Sequence, residues 1–175
     1  QVHFHHLWTM NPDGTNQTVF YGNLHPGIAM LDAKPIPGSN KVVASFSPGH
    51  GRVEHLGSVT VVDTRLGPDE SRSARKVNPR PHWKDPYAIT EKCFLVASVK
   101  GLFVMNGKGE TELVYQLPEN ERRMQCHEPR PLRPRRRERV ILDRTELDSP
   151  TGVVVLEDIY EGRKMKGVER GSIKK

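Results

Sequence analysis

Three stretches of this chain carry one pattern, and that recurrence limits the fold more than any other feature. They are "HLWTMNPDGTNQTVFYGN" (residues 6–23), "SVTVVDTRLGPDESRSARKVN" (58–78) and "GLFVMNGKGETELVYQ" (101–116). Each begins with an apolar strand ending in Met-Asn or Val-Asp. A turn containing Gly follows, and then a second strand of alternating character. Asn11, Asp63 and Asn106 hold the same place in each copy, 52 and then 43 residues apart. The turns "NPDGT" and "NGKG" suit hairpins: Gly accepts positive φ, and Asn caps the turn with its own side chain.

Another strand pair precedes each later copy. "AKPIPGSNKVVASFSPG" reads as a short strand, a Gly-Ser-Asn turn and the strong strand Val42–Ser47. "DPYAITEKCFLVASV" reads the same way, with its turn at 90–92 and its strand at 93–99. The unit is therefore four short antiparallel strands, repeated at roughly 40–50 residues, the period of a β-propeller blade. An all-β fold follows, read as a partial β-propeller. The competing architecture is an ordinary β-sandwich.

Composition fits a turn-rich β protein. The chain has 175 residues, enough for one domain with a core, and holds 15 Gly and 14 Pro. No apolar run is long enough to span a bilayer as a helix. The start, "QVHFHHLW", lacks the basic-then-apolar layout of a signal peptide and has no Met, so we expect a mature product or a piece of a longer protein. Cys93 and Cys126 have neither zinc-finger nor redox spacing. One disulfide and two separate buried thiols both remain open.

The net charge of +6 is concentrated. Residues 122–144 hold nine Arg against Glu128, Glu138 and Asp143, which accounts for the whole excess. Such density can neutralise phosphates. However, Pro129, Pro131 and Pro134 forbid a groove-reading helix, and no aromatic residue lies there to stack on bases. The segment reads as an extended connector whose guanidinium groups pair with neighbouring carboxylates, not as a nucleic-acid binder.

At this point a resemblance enters. "LWTMNPDGTNQTVFYGN" resembles the hairpin of TolB-like propellers. "DAKPIPGSNKVVASFSPGHGRVEHLGSVTVVD", "DPYAITEKCFLVAS" and "GVERGSIKK" resemble the middle propeller domain of hydrazine synthase alpha subunit-like proteins. The resemblance implies a fragment of a six-bladed ring supplying about three blades. Residues 1–28 would form the outer half of one blade, 29–80 and 81–120 a blade each, and 121–175 an Arg/Pro-rich connector and the start of the next. It also implies a larger, exported or periplasmic parent, whose other blades and domains would be the partners. A further protein partner is compatible with that role. The name-giving enzyme carries haem on Cys-x-x-Cys-His. Here Cys126-His127 is preceded at the required position by Arg123, so no haem attaches covalently and no cofactor is expected in this chain.

Candidate sites are few. "SPGHGRVEHLG" places His50, Glu54 and His55 within six positions of a connection between strands, chemistry able to hold a divalent metal. Hydrogen bonding within the loop is the simpler reading. His25 and His82 would join them only if the fold brings them to the same face. The terminal "HFHH" reads as a frayed end. Trp83 and Tyr87, in "PRPHWKDPYAI", suggest an aromatic platform for a carbohydrate or peptide, or a loop anchor. Trp8 reads as core packing. No pair among Asp32, Asp63, Asp69 and Asp85 is placed for glycosidic acid–base work. Nucleophile-elbow, phosphate-loop and dinucleotide motifs are missing. The expected function is a non-catalytic propeller scaffold or interaction module. The alternatives are a metal-dependent enzyme domain using His50, Glu54 and His55, and a carbohydrate- or peptide-binding propeller.

Overall fold

A computed structural model describes residues 5–49, 56–121, 123–134, 137, 140, 148–152, 156, 158–162 and 164–174. The chain divides into two compact units, Gln1–Glu138 and Arg139–Lys175.

In the first unit the described residues form ten strands. Strands β1 (Leu7–Thr9) and β2 (Thr18–Tyr21) pair as a two-stranded sheet. Strands β3 (Ala29–Pro35), β4 (Val42–Ser47), β5 (Ser58–Val62) and β6 (Ala74–Lys76) form a four-stranded meander. Strands β7 (Lys84–Thr90), β8 (Cys93–Ala97), β9 (Gly101–Asn106) and β10 (Thr111–Gln116) form a second. Every named pairing is antiparallel, and no sheet closes on itself. The all-β expectation and the two four-stranded units therefore hold.

The sheets stack through alternation. Along β5, Val59 and Val61 face one way and Val62 the other, and all three are buried. Val59 and Val61 join Ile36, Val43, Phe94, Val96 and Met105 in the core between the two four-stranded sheets. Val62 joins Ala44, Phe46, Met30, Leu7 and Tyr21 in a second core, between the first four-stranded sheet and β1–β2. The central strands of the first meander are thus covered on both faces, and even their Ser45, Ser47, Ser58 and Thr60 are buried. Trp8 does not pack as expected. Leu7 takes the inward position of β1, which turns Trp8 outward, 62% exposed.

The turns follow their predicted chemistry at two of three places. The Asn11 and Asn106 carbonyls accept from the Gly14 and Gly109 amides, closing both hairpins. The Asn106 side chain caps its turn by accepting from the Lys108 and Glu110 amides, whereas at the first turn Asp13 accepts from Thr15 and the Asn11 side chain donates to the Thr15 hydroxyl. Gly109 is required twice over: φ is +83°, and a Cβ there would meet the Val77 carbonyl oxygen at 2.4 Å. The middle copy departs. Asp63 caps a 3-10 turn, Thr64–Leu66, and a second such turn, Ser71–Ser73, follows before β6.

Of the terminal "HFHH", His3 and Phe4 lie outside the described residues, while His5 is held in place: its carbonyl accepts from Met30, and it bridges Ala29. That corrects the expectation of a frayed end for His5. Cys93 and Cys126 are free thiols. No helix among the described residues is long and apolar enough to cross a membrane.

In the second unit the described residues form turns and bends. Arg170 pairs with Asp158 at 2.7 Å and with Glu161 at 3.3 Å, and lies over the Tyr160 ring.

Candidate functional site

His50, Glu54 and His55 lie outside the described residues. His25 is engaged elsewhere, stacked on Tyr21 with its Nε2 3.0 Å from the Asp69 carbonyl, and His82 is exposed. Trp83 is an anchor. Its backbone exchanges both hydrogen bonds with Gly57, and its indole meets the Phe103 ring edge-on at 5.2 Å. Tyr87, on β7, faces a different environment: the Arg133 guanidinium lies over its ring, 5.8 Å from the centroid.

The densest polar cluster forms where β7 begins. Lys84 is 2% exposed, an unusual place for an ammonium. It is satisfied there, donating to Gln125 Oε1 at 3.0 Å and to His127 Nε2 at 3.1 Å. An accepting Nε2 places the imidazole proton on Nδ1, which donates to Asp85 Oδ2 at 3.3 Å. The Glu128 amide donates to the same oxygen at 3.0 Å. Residues 125–128 are thereby strapped across the start of β7. The Cys126 amide, donating to the Val99 carbonyl, adds to the strap. Burial pulls the Lys84 ammonium below its ordinary range, against the opposing charge of Asp85.

Asp32 reaches this cluster from β3. Carboxylate oxygens of Asp32, Asp85 and Glu128 lie within 4.8 Å of one another. Burial, then the hydrogen bond and charge of Asp85, push the Asp32 carboxyl above the usual carboxylate range. Burial also pushes Asp85 upward, but the Glu128 amide, the Asp32 hydrogen bond and His127 outweigh it and hold Asp85 low. The two carboxyls are thus pushed in opposite directions, Asp32 up and Asp85 down. Sequence reading did not bring these two residues together. Their direct contact leaves no space for a sugar between them, so glycosidic chemistry is still not indicated.

A common backbone device sets the three acids. Asp32, Asp85 and Glu128 have φ of +56°, +52° and +46°, in the left-handed region that most non-glycine residues avoid. The pairing register slips between Leu31 and Lys34 on β3, and between Lys84 and Tyr87 on β7. Each slip is a bulge formed by the acid and the residue after it. The signal was present in the sequence as "DAKPI", "DPYAI" and "EPRPL", with acids 53 and then 43 residues apart. That nearly matches the spacing of Asn11, Asp63 and Asn106.

The cluster could do two things. Three carboxylates so close could hold a divalent cation through oxygen. Here Asp32 and Asp85 bond each other, and Glu128 pairs with Arg130. As a relay, Asp85–His127–Lys84 is well connected, but its amine is buried and already bonded. The geometry fits a structural clasp. No protein-family model, curated protein or solved structure matches this chain.

Proposed function

We propose that this chain is an arc of a β-propeller and serves as a non-catalytic scaffold or interaction module of a larger exported protein, of the hydrazine synthase alpha subunit-like kind. One observation carries the reading: the same acid-bearing bulge recurs in the first strand of both four-stranded meanders, and those first strands meet at their acids. Blades of a propeller have that relation, with successive first strands innermost around an axis. The polar cluster supports a scaffold, since Lys84, Gln125, His127 and Asp85 satisfy one another across the strap.

An experimental structure of the complete polypeptide tests this. The expected result is further four-stranded meanders arranged radially, with β3 and β7 nearest the axis. A two-sheet sandwich, or a barrel closed without such modules, overturns it. Haem or metal content that tracks with residues 1–175 alone would overturn the non-catalytic part.

A further inference from the structure

The bulges place more than carboxylates in register. Two positions after each acid stand Lys34, Tyr87 and Arg130, and all three line one groove of about 500 Å³. Pro35, Pro37 and Ala88 supply apolar wall. That volume is in the range of small-molecule sites. Three equivalent positions of three successive segments thus converge twice, once as acids and once as the lining of a cavity.

The groove's electrostatics are unbalanced. Lys34 Nζ is buried and has no hydrogen-bond partner. An ammonium in that condition is costly, and an anion would relieve it. Asp32 acts on Lys34 through charge, but gives its Nζ no hydrogen bond and also faces Asp85. Around the groove and the clasp beneath it, Lys34, Lys84, Arg130 and Arg133 outnumber the charges of the Asp32–Asp85 pair and of Glu128. His127 faces the pair through Nδ1. The lysine stem is flexible, so a change in its terminal torsions carries Nζ to a ligand in the groove.

We propose that this groove binds a small organic carboxylate, with Lys34 and Arg130 contacting the anion and Tyr87 and the prolines contacting its apolar body. A monoanion suits the site better than a phosphate dianion, because Asp85 and Glu128 lie close by. The inference does not require that further sheets close a ring.

Benzoate is the probe, titrated into the 175-residue chain and followed by amide NMR shifts, with benzamide as its neutral isostere and inorganic phosphate as the competing anion. Saturable shifts at Lys34, Tyr87 and Arg130 are expected for benzoate, with benzamide weaker by ~10-fold or more, as expected for loss of a charge-assisted contact. Lys34→Met should weaken benzoate ~10-fold with an unchanged circular dichroism spectrum, while Lys34→Arg retains binding. If Lys34→Met does not fold, Arg130→Gln replaces it, with the same expected direction. Absence of saturable shifts, equal binding of benzamide, equal or tighter binding of phosphate, or full affinity in the neutral variant overturns the proposal.

Discussion

Asp32 of β3 and Asp85 of β7 bring their carboxylate oxygens within 4.8 Å of each other where the two four-stranded sheets join, and the contact pushes Asp32 up and Asp85 down. The arrangement makes the junction sensitive to pH in two opposed senses. Asp32 is raised in the fold, so its contribution is present below the ordinary carboxylate range and is lost as pH rises through its folded pKa. Asp85 is lowered, so its contribution is present above that range and is lost as pH falls through its folded pKa. Asp32→Asn keeps a donor toward Asp85 and removes the upper titration. Urea unfolding should show this variant gaining on the parent chain as pH rises from about 4 toward neutrality. A stability difference that stays constant across that interval contradicts the raised carboxyl of Asp32.

Lys84 holds the strap. Lys84→Met keeps most of the volume but leaves Gln125 Oε1 and His127 Nε2 without their donor. A loss of about 1–3 kcal/mol is expected from denaturant unfolding. Limited proteolysis should cut near residues 121–128 faster than in the parent chain. Equal stability and equal cleavage would show that the lysine contributes no net fastening.

Two glycines separate backbone strain from steric clash. Gly14 and Gly109 have nearly the same φ, +81° and +83°. A Cβ at Gly14 meets nothing within 4 Å, whereas one at Gly109 meets the Val77 oxygen at 2.4 Å. Gly14→Ala should therefore show the left-handed penalty alone, about 1–2 kcal/mol. Gly109→Ala should lose distinctly more, since the backbone of the neighbouring sheet must shift. Thermal melts of the two variants that coincide would argue against the close approach.

Phe94 is fully buried in the core between the four-stranded sheets. Phe94→Ala should cost about 3–5 kcal/mol. The unfolding transition should remain single if the two meanders form one cooperative unit. A separate early transition would show that the sheets unfold independently.

Strand β10 is an open edge, exposed along its length, with Leu113, Val114 and Tyr115 at 50%, 60% and 48% exposure. Such an edge favours pairing with another chain. Sedimentation should show association that rises with concentration and diminishes in Val114→Lys. A monomer at all concentrations, in both forms, contradicts this.

The strand order was readable because its signals are local. "NPDGT" and "NGKG" dictate turns through Gly and Asn, whatever the rest of the fold does. The β-branched and apolar residues of β4 and β5 mark strong strands, although Ser and Thr between them hide the cover on the second face. Trp8 was misread because a three-residue strand holds too little alternation to tell its two faces apart. The clasp was hidden for a different reason. Lys84 and His127 are 43 residues apart, and nothing in either neighbourhood hints at a buried ammonium. Asp32 and Asp85 look like ordinary turn residues until the bulges aim them at each other. Their five-residue contexts do repeat, but the repeat is visible only when aligned on the acid and not on the hairpins.

The recurring bulge sets a limit on multiplication of this unit. In the proposed propeller arrangement, every duplicated copy that keeps an acid at that position would deliver another negative charge to the same small volume. Self-repulsion climbs faster than copy number, because each newcomer faces all those already present. A longer array can lengthen only by alternating the acid with a neutral or basic residue, by retaining more protons, or by recruiting cations from its own side chains, as Arg130 does for Glu128.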